Sequence, residues 1–211
     1  MSNLCVIFDL DGTLVDSETL GTESLLELLP ELDAPLETLI AAYRGQRMAT
    51  ILADVERRLN RKLPADFEHH YRDHASARMR THLKPMPGVV EMLKQLTFPL
   101  AVASSAPPAK IQLALNVCGI DHYFGQNVFS CYEINTWKPD PAIFLHTAHA
   151  MNVTPQQCVV VEDSDVGVVA ALAAGIRVLR YGFPHTSPEV TEFREMKRLP
   201  SLLQELSLDL R

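Results

Sequence analysis

Long apolar runs are missing from this 211-residue chain, as are any clustering of cysteine, any excess of positive charge and any internal repeat or low-complexity segment. No stretch approaches the roughly 20 apolar residues of a membrane-crossing helix. The N-terminus carries no basic segment, and its apolar run from Leu4 to Phe8 is too short for the core of a secretory signal. Four cysteines, Cys5, Cys118, Cys131 and Cys158, show no Cys-x-x-Cys spacing, so neither a zinc knuckle nor a redox pair is suggested. Buried, reduced thiols are expected instead. Nineteen Lys and Arg stand against 26 Asp and Glu, a net charge of -7, which argues against nucleic acid or an anionic membrane surface as the main partner. That argument concerns bulk charge, since a metal ion and a few local donors can still reverse the field around a bound anion. A cytoplasmic protein is expected.

What the chain does contain is enough apolar sequence, 47% of residues, for a sizeable core. Its length suits one domain, or a core domain carrying a smaller inserted one. Short runs rich in Val, Ile, Leu and Ala recur at Leu4 to Phe8, Leu100 to Ala103, Val159 to Val161 and Ile176 to Leu179. Continuous apolar runs of that length predict strands buried on both faces, as in a parallel sheet. Helical stripes lie between the later runs: Val89, Val90, Met92, Leu93 and Leu96, then Ile111, Leu113, Leu115 and Val117, then Ile143, Phe144, Ala148 and Met151. A fourth helix, through Ala170 to Ala174, is expected to stop at Gly175. Strand and helix in alternation predict an α/β fold with a doubly wound parallel sheet. Residues 17–83 interrupt this rhythm with amphipathic helical patterns and no convincing strand. They read as an inserted helical cap between core segments 1–16 and 84–211. The exit is marked by Lys84-Pro85-Met86-Pro87-Gly88.

In such sheets ligands bind beyond the carboxyl ends of the strands, where strand order reverses. Polar residues follow three of the four runs. Asp9-Leu10-Asp11-Gly12-Thr13 ends the first. Two carboxylates that close repel unless a cation or a shared proton holds them, and magnesium, which takes a few carboxylates plus phosphate oxygens, suits the pair. An Asp-Gly turn at a strand end would explain the same letters. Ser104 and Ser105 end the second run before Pro107 and a helix, where hydroxyl and amides suit a phosphate or simply cap the helix. Glu162 and Asp163 end the third, and two acids at the end of a buried strand favour metal ligation over a cap. Lys138, within Trp137-Lys138-Pro139-Asp140-Pro141, can offer a point charge to phosphate, or be a solvated lysine beside a proline turn. His69, His70, His74 and His82 read as surface residues of a polar helix, and Arg57, Arg58, Arg61 and Lys62 as a solvated face among acids.

Taken in order, Asp9-x-Asp11-Gly-Thr, Ser104 after a strand, Lys138, and Glu162-Asp163 resemble the four motifs of the haloacid dehalogenase superfamily, across the whole chain. Insertion of the helical segment between the first two motifs is similar to the small cap of the β-phosphoglucomutase-like branch. The resemblance implies a Rossmann-like core, a magnesium ion and a small phosphate ester as substrate. It implies Asp9 as nucleophile, Asp11 as acid and base, Ser104, Ser105 and Lys138 as holders of the phosphoryl oxygens, and Asp9, the Asp11 carbonyl and Asp163 as metal ligands. Glu162 is a further ligand or an outer partner, and Thr13 steadies the Asp11 loop. A carboxylate at position 11 separates phosphotransferases from the dehalogenases and phosphonatases of the superfamily. Arg44-Gly45-Gln46-Arg47 falls where relatives carry a specificity loop, with Arg47 the expected substrate contact. The stretch from Phe129 to Pro141 also resembles bacterial phosphatases acting on 6-phosphogluconate and similar sugars. A hydrolase is expected, with a sugar-phosphate mutase and a silent phosphometabolite-binding module as alternatives, and with a monomer favoured.

Overall fold

A computed structural model describes residues 4–182, 187 and 190–208. One sheet of six parallel strands organises it: β1 (Cys5–Phe8), β2 (Leu100–Ser104), β3 (Val128–Ser130), β4 (Cys158–Glu162), β5 (Arg177–Tyr181) and β6 (Val190–Phe193). Their spatial order is β3-β2-β1-β4-β5-β6, so the chain winds outward from β1 in both directions and strand order reverses beside β1. The four apolar runs became β1, β2, β4 and β5. Two further strands, β3 and β6, were not foreseen. Both lie at sheet edges, and β6 exposes Thr191 and Glu192, so neither carries a continuous apolar run.

Among the described residues ten α-helices accompany the sheet: α1 (Ser17–Leu28), α2 (Leu36–Tyr43), α3 (Met48–Leu59), α4 (Phe67–His82), α5 (Val89–Leu93), α6 (Pro108–Val117), α7 (Cys131–Ile134), α8 (Ala142–Ala150), α9 (Asp165–Ala173) and α10 (Leu199–Leu208). The alternation along β1 shows why a central parallel strand is apolar throughout. Leu4, Val6 and Phe8 join a core with Val89 and Met92 of α5, Ile111 and Leu115 of α6, and Leu199 and Leu203 of α10. Cys5 and Ile7 point to the other face, with Ile143 and Phe144 of α8 and Val168 and Ala171 of α9. With helices on both sides, neither register position can be polar. All four cysteines are free thiols, three of them buried and Cys118 half-buried.

Helices α1 to α4 all fall between β1 and β2. They enclose a separate cluster of Leu25, Leu29, Leu32, Leu39, Val55 and Phe67. Gly88, at φ +81°, makes the turn into α5, and Gly175, at φ +69°, follows α9 as the αL stop expected there. Among the described residues no helix is long and apolar enough to cross a membrane.

Candidate active site

The carboxyl ends of β1, β2 and β4 meet at the reversal point, and the residues that follow them line a cavity of about 420 Å³. Its floor includes Asp9, Asp11, Ser105, Lys138 and Asp163. Its far wall is Gly21, Arg44, Arg47, His69, Tyr71 and Arg72 from the helical segment.

Lys138 is the pivot of the floor. Its side chain is only 3% exposed, so it is not a solvated lysine. The ammonium donates to Asp9 Oδ1 at 2.6 Å and to Glu162 Oε2 at 2.7 Å. Burial opposes its charge, but the two carboxylates more than offset that and hold its pKa above the usual lysine value. Glu162 is tied at both oxygens. Its Oε1 accepts from the Asp163 and Ser164 amides at 3.1 and 3.0 Å and from the Ser164 hydroxyl at 2.8 Å. It thus acts as a brace between β4 and Lys138. The brace needs Gly167 on α9, because a Cβ there would run into the Glu162 carboxyl group. Gly167→Ala is expected to cost about 2–3 kcal/mol of stability by overpacking, read as a shift in the urea midpoint at unchanged slope.

Asp9, Glu162 and Asp163 form the one group of possible metal ligands found among the described residues. Burial and the neighbouring Glu162 push the pKa of Asp9 well up, against the opposing pull of Lys138. Burial, Glu162, Glu18 and Asp9 do the same to Asp163. Asp163 Oδ1 accepts from the Thr13 hydroxyl at 3.2 Å, while its buried Oδ2 accepts no hydrogen bond from the described residues and lies 3.6 Å from Arg44 Nε. The Thr13 hydroxyl thus ties the loop that carries Asp11 to Asp163. A crowded all-oxygen set with one buried oxygen lacking a donor fits a small hard dication, with Asp9 and Asp163 as the groups free to hold it. Gly12, at φ +80°, is required here, since a Cβ would collide with the Asp163 carboxylate.

Asp11 stands apart from that cluster. Its carboxylate is turned to Ser17, whose hydroxyl donates to Oδ1, and to Lys110, whose ammonium donates to the same oxygen at 2.8 Å. Burial would raise its pKa, but Lys110 and then Ser17 reverse that and hold it below the usual carboxylate range. Lys110, Ser17 and Glu18 had not been singled out from the sequence. Glu18 is pushed up to about 7 by burial, against the pull of Arg44, whose Nε lies 2.9 Å from it.

The two serines separate. Ser104 is buried, does not line the cavity, and accepts from the Ala106 amide at 3.0 Å through its hydroxyl. Ser105, one residue beyond β2, does line it. Arg47 lines the cavity with its guanidinium 3.8 Å above the Trp137 ring. His69 borders the same space yet is largely exposed and lies 3.4 Å from Asp73, while His70, His74 and His82 do not line it. Arg57 and Arg58 pair with Asp54, Arg61 with Glu31 and Lys62 with Glu56, as a solvated basic face would.

With three strand ends delivering Asp9, Ser105 and Asp163 to one rim, the chain belongs to the haloacid dehalogenase-like hydrolases, whose family model matches residues 4–175. Over 205 residues it is 33% identical to the 6-phosphogluconate phosphatase of Escherichia coli (strain K12), covering 93% of each chain. It is also 33% identical over 184 residues to the fructose-1-phosphate phosphatase YqaB of that organism, covering 81% of this chain and 92% of that one. A haloacid dehalogenase-like protein from Agrobacterium tumefaciens str. C58 superposes with a TM-score of 0.81 at 31% identity, over 96% of this chain and 98% of the other.

Proposed function

We propose that this hydrolase cleaves the phosphate monoester of a small sugar or sugar acid, with 6-phosphogluconate one candidate, through an aspartyl-phosphate on Asp9. The observation that carries the reading is the division of labour between two carboxylates two residues apart. Asp9 faces the buried ammonium of Lys138 beside the candidate metal ligands, and Asp11 is pinned separately by Ser17 and Lys110. In the first step, which starts with Asp11 protonated, an Asp9 oxygen attacks phosphorus and the ester oxygen leaves, taking the proton from Asp11. In the second, Asp11 takes a proton from water as its oxygen attacks the same phosphorus, releasing phosphate and restoring Asp9. Lys138 and Ser105 hold the equatorial oxygens, and Glu162 keeps Lys138 in place. Magnesium held by Asp9 and Asp163 would neutralise charge on the transferring group.

The helices of residues 17–83 act as a cap over this floor, with core segments 1–16 and 84–211 beneath. The names of the two relatives, one acting on a phosphorylated sugar acid and one on a sugar phosphate, support the substrate class. A panel of phosphorylated metabolites with magnesium, read as inorganic phosphate, tests the reading. Turnover of a sugar phosphate to an isomer with little phosphate release would make the protein a mutase, and no turnover of any ester would leave it a binding module.

Discrimination between leaving groups falls to the cap. Arg47 has no carboxylate partner among the described residues; it lines the cavity, and its guanidinium rests over the Trp137 ring. A planar fork so held suits a carboxylate or a pair of sugar hydroxyls. Arg47→Ala is expected to lower kcat/KM for the best sugar phosphate by roughly 10- to 100-fold, the scale of one charge-assisted contact, and to affect p-nitrophenyl phosphate much less. Equal losses on both esters would move Arg47 into the common machinery, and none on either would make it a surface residue.

A further inference from the structure

We propose that Lys110 is a positioning residue for the reaction: its ammonium, donating to one oxygen of the Asp11 carboxyl group, turns the other oxygen toward the reacting atoms, so its contribution grows with the leaving group's need for a proton. The inference rests on the assignment of Asp11 as acid and base made above.

Lys110 is the third residue of α6, a helix of ten residues. A cation in the first turn opposes the helix dipole, so the position is unfavourable for an idle lysine, whose side chain would ordinarily extend into water. Here the side chain bends back to the end of β1, 99 positions away in sequence, and is two-thirds buried against Asp11. Helix α4 packs on α6, and Tyr71 of α4 lines the cavity beside Lys110, so the lysine lies at the seam between core and cap.

The donor geometry is asymmetric. Lys110 and Ser17 both donate to Oδ1 of Asp11, and Oδ2 takes no hydrogen bond from the described residues. Rotating the carboxylate would break both bonds together, so Oδ2 is the oxygen left to meet the ester oxygen and later the water. The two donors come from different elements, Ser17 from the start of α1 and Lys110 from α6, and they hold the carboxylate from two sides. Lys138 already occupies the place of a charge beside Asp9, and Lys110 touches neither Asp9 nor the candidate metal ligands Asp163 and Glu162 in any hydrogen bond or ion pair among the described residues. Its position suits control of Asp11 and not grip on the phosphate.

The test compares two esters by kcat/KM, which reports the steps up to phosphorylation of Asp9. An alkyl ester such as a sugar phosphate needs a proton on its departing oxygen, whereas p-nitrophenolate leaves as a stable anion. Lys110→Met is expected to lower kcat/KM for the sugar phosphate by roughly 30- to 100-fold and for p-nitrophenyl phosphate by no more than about 5-fold. Lys110→Arg should recover part of the loss on the sugar ester, and Ser17→Ala, which removes the other donor, should show the same skew if Lys110→Met does not fold. Losses of equal size on both esters, no loss on either, or a weakening of competitive inhibition by inorganic phosphate that matches the loss would each overturn the inference, the last by making Lys110 a phosphate ligand. Release of no phosphate from either ester by the wild-type protein would overturn the phosphatase reading itself and this inference with it.

Discussion

Asp9→Asn is expected to yield a folded protein whose phosphate-ester hydrolysis is down by at least about 1,000-fold, because the amide is a poor nucleophile and no other carboxylate faces the cavity from the same place. Asp11 cannot substitute, since its carboxylate is held by Lys110 and Ser17. The fold should survive. Burial and Glu162 already disfavour the charged form of Asp9, and Lys138 keeps its bond to Glu162 at 2.7 Å when the Asp9 charge is removed. The thermal midpoint of the metal-free variant is therefore expected to match or exceed that of the wild type. Single-turnover phosphate release, alongside a melting curve, checks both halves, and appreciable turnover by the folded variant would remove Asp9 from the nucleophile's role.

Exhaustive chelation is the second large effect, with an expected loss of at least about 100-fold that magnesium restores. The cluster of Asp9 and Asp163 offers only oxygen, and no cysteine or histidine belongs to it among the described residues, so a hard ion is the expected occupant. The same carboxylates make metal binding depend on pH in a direction that can be stated. Their pKa values are raised in the folded, metal-free protein, so the native state holds protons there more tightly than the unfolded chain. That contribution to stability is fully present below the ordinary carboxylate range and is lost as pH rises through the raised values. A bound dication takes the proton's place. Magnesium should thus raise the melting temperature more at pH 8 than at pH 5, and Asp163→Asn should shrink the rise. Full activity after metal removal, or a magnesium shift larger at the lower pH, would contradict the assignment.

The two sheet edges show where local pattern stops being informative. β1, β2, β4 and β5 were legible because helices on both faces bury successive apolar residues in each: Cys5 to Phe8, Leu100 to Ala103, Cys158 to Val161, and Val178 with Leu179. β3 has three residues, two of them half-buried, and β6 exposes its middle pair, so neither differs from an ordinary loop in composition. The helical stripes at 89–96, 111–117 and 143–151 were visible for the same reason as the strands, although α5 ends early at Leu93. In the site, the acids after β1 and β4 could be read because charge at the end of a buried strand is costly without a partner.

The order of motifs and the burial pattern of single elements, both properties of neighbouring residues, determined the doubly wound sheet and the set from which the site is drawn: Asp9, Asp11, Ser104, Ser105, Lys138, Glu162 and Asp163. Only the tertiary structure decided how these divide their work. It placed Lys138 between Asp9 and Glu162, turned Ser105 and not Ser104 to the cavity, gave the Thr13 hydroxyl to Asp163, and brought Lys110 to Asp11. These pairings join residues from 24 to 150 positions apart. A lysine in the first turn of a helix and a serine at the start of another carry no local mark of a shared carboxylate. The mark is set by which strand ends lie side by side, and a sheet that winds outward from β1 brings together residues that no local periodicity relates.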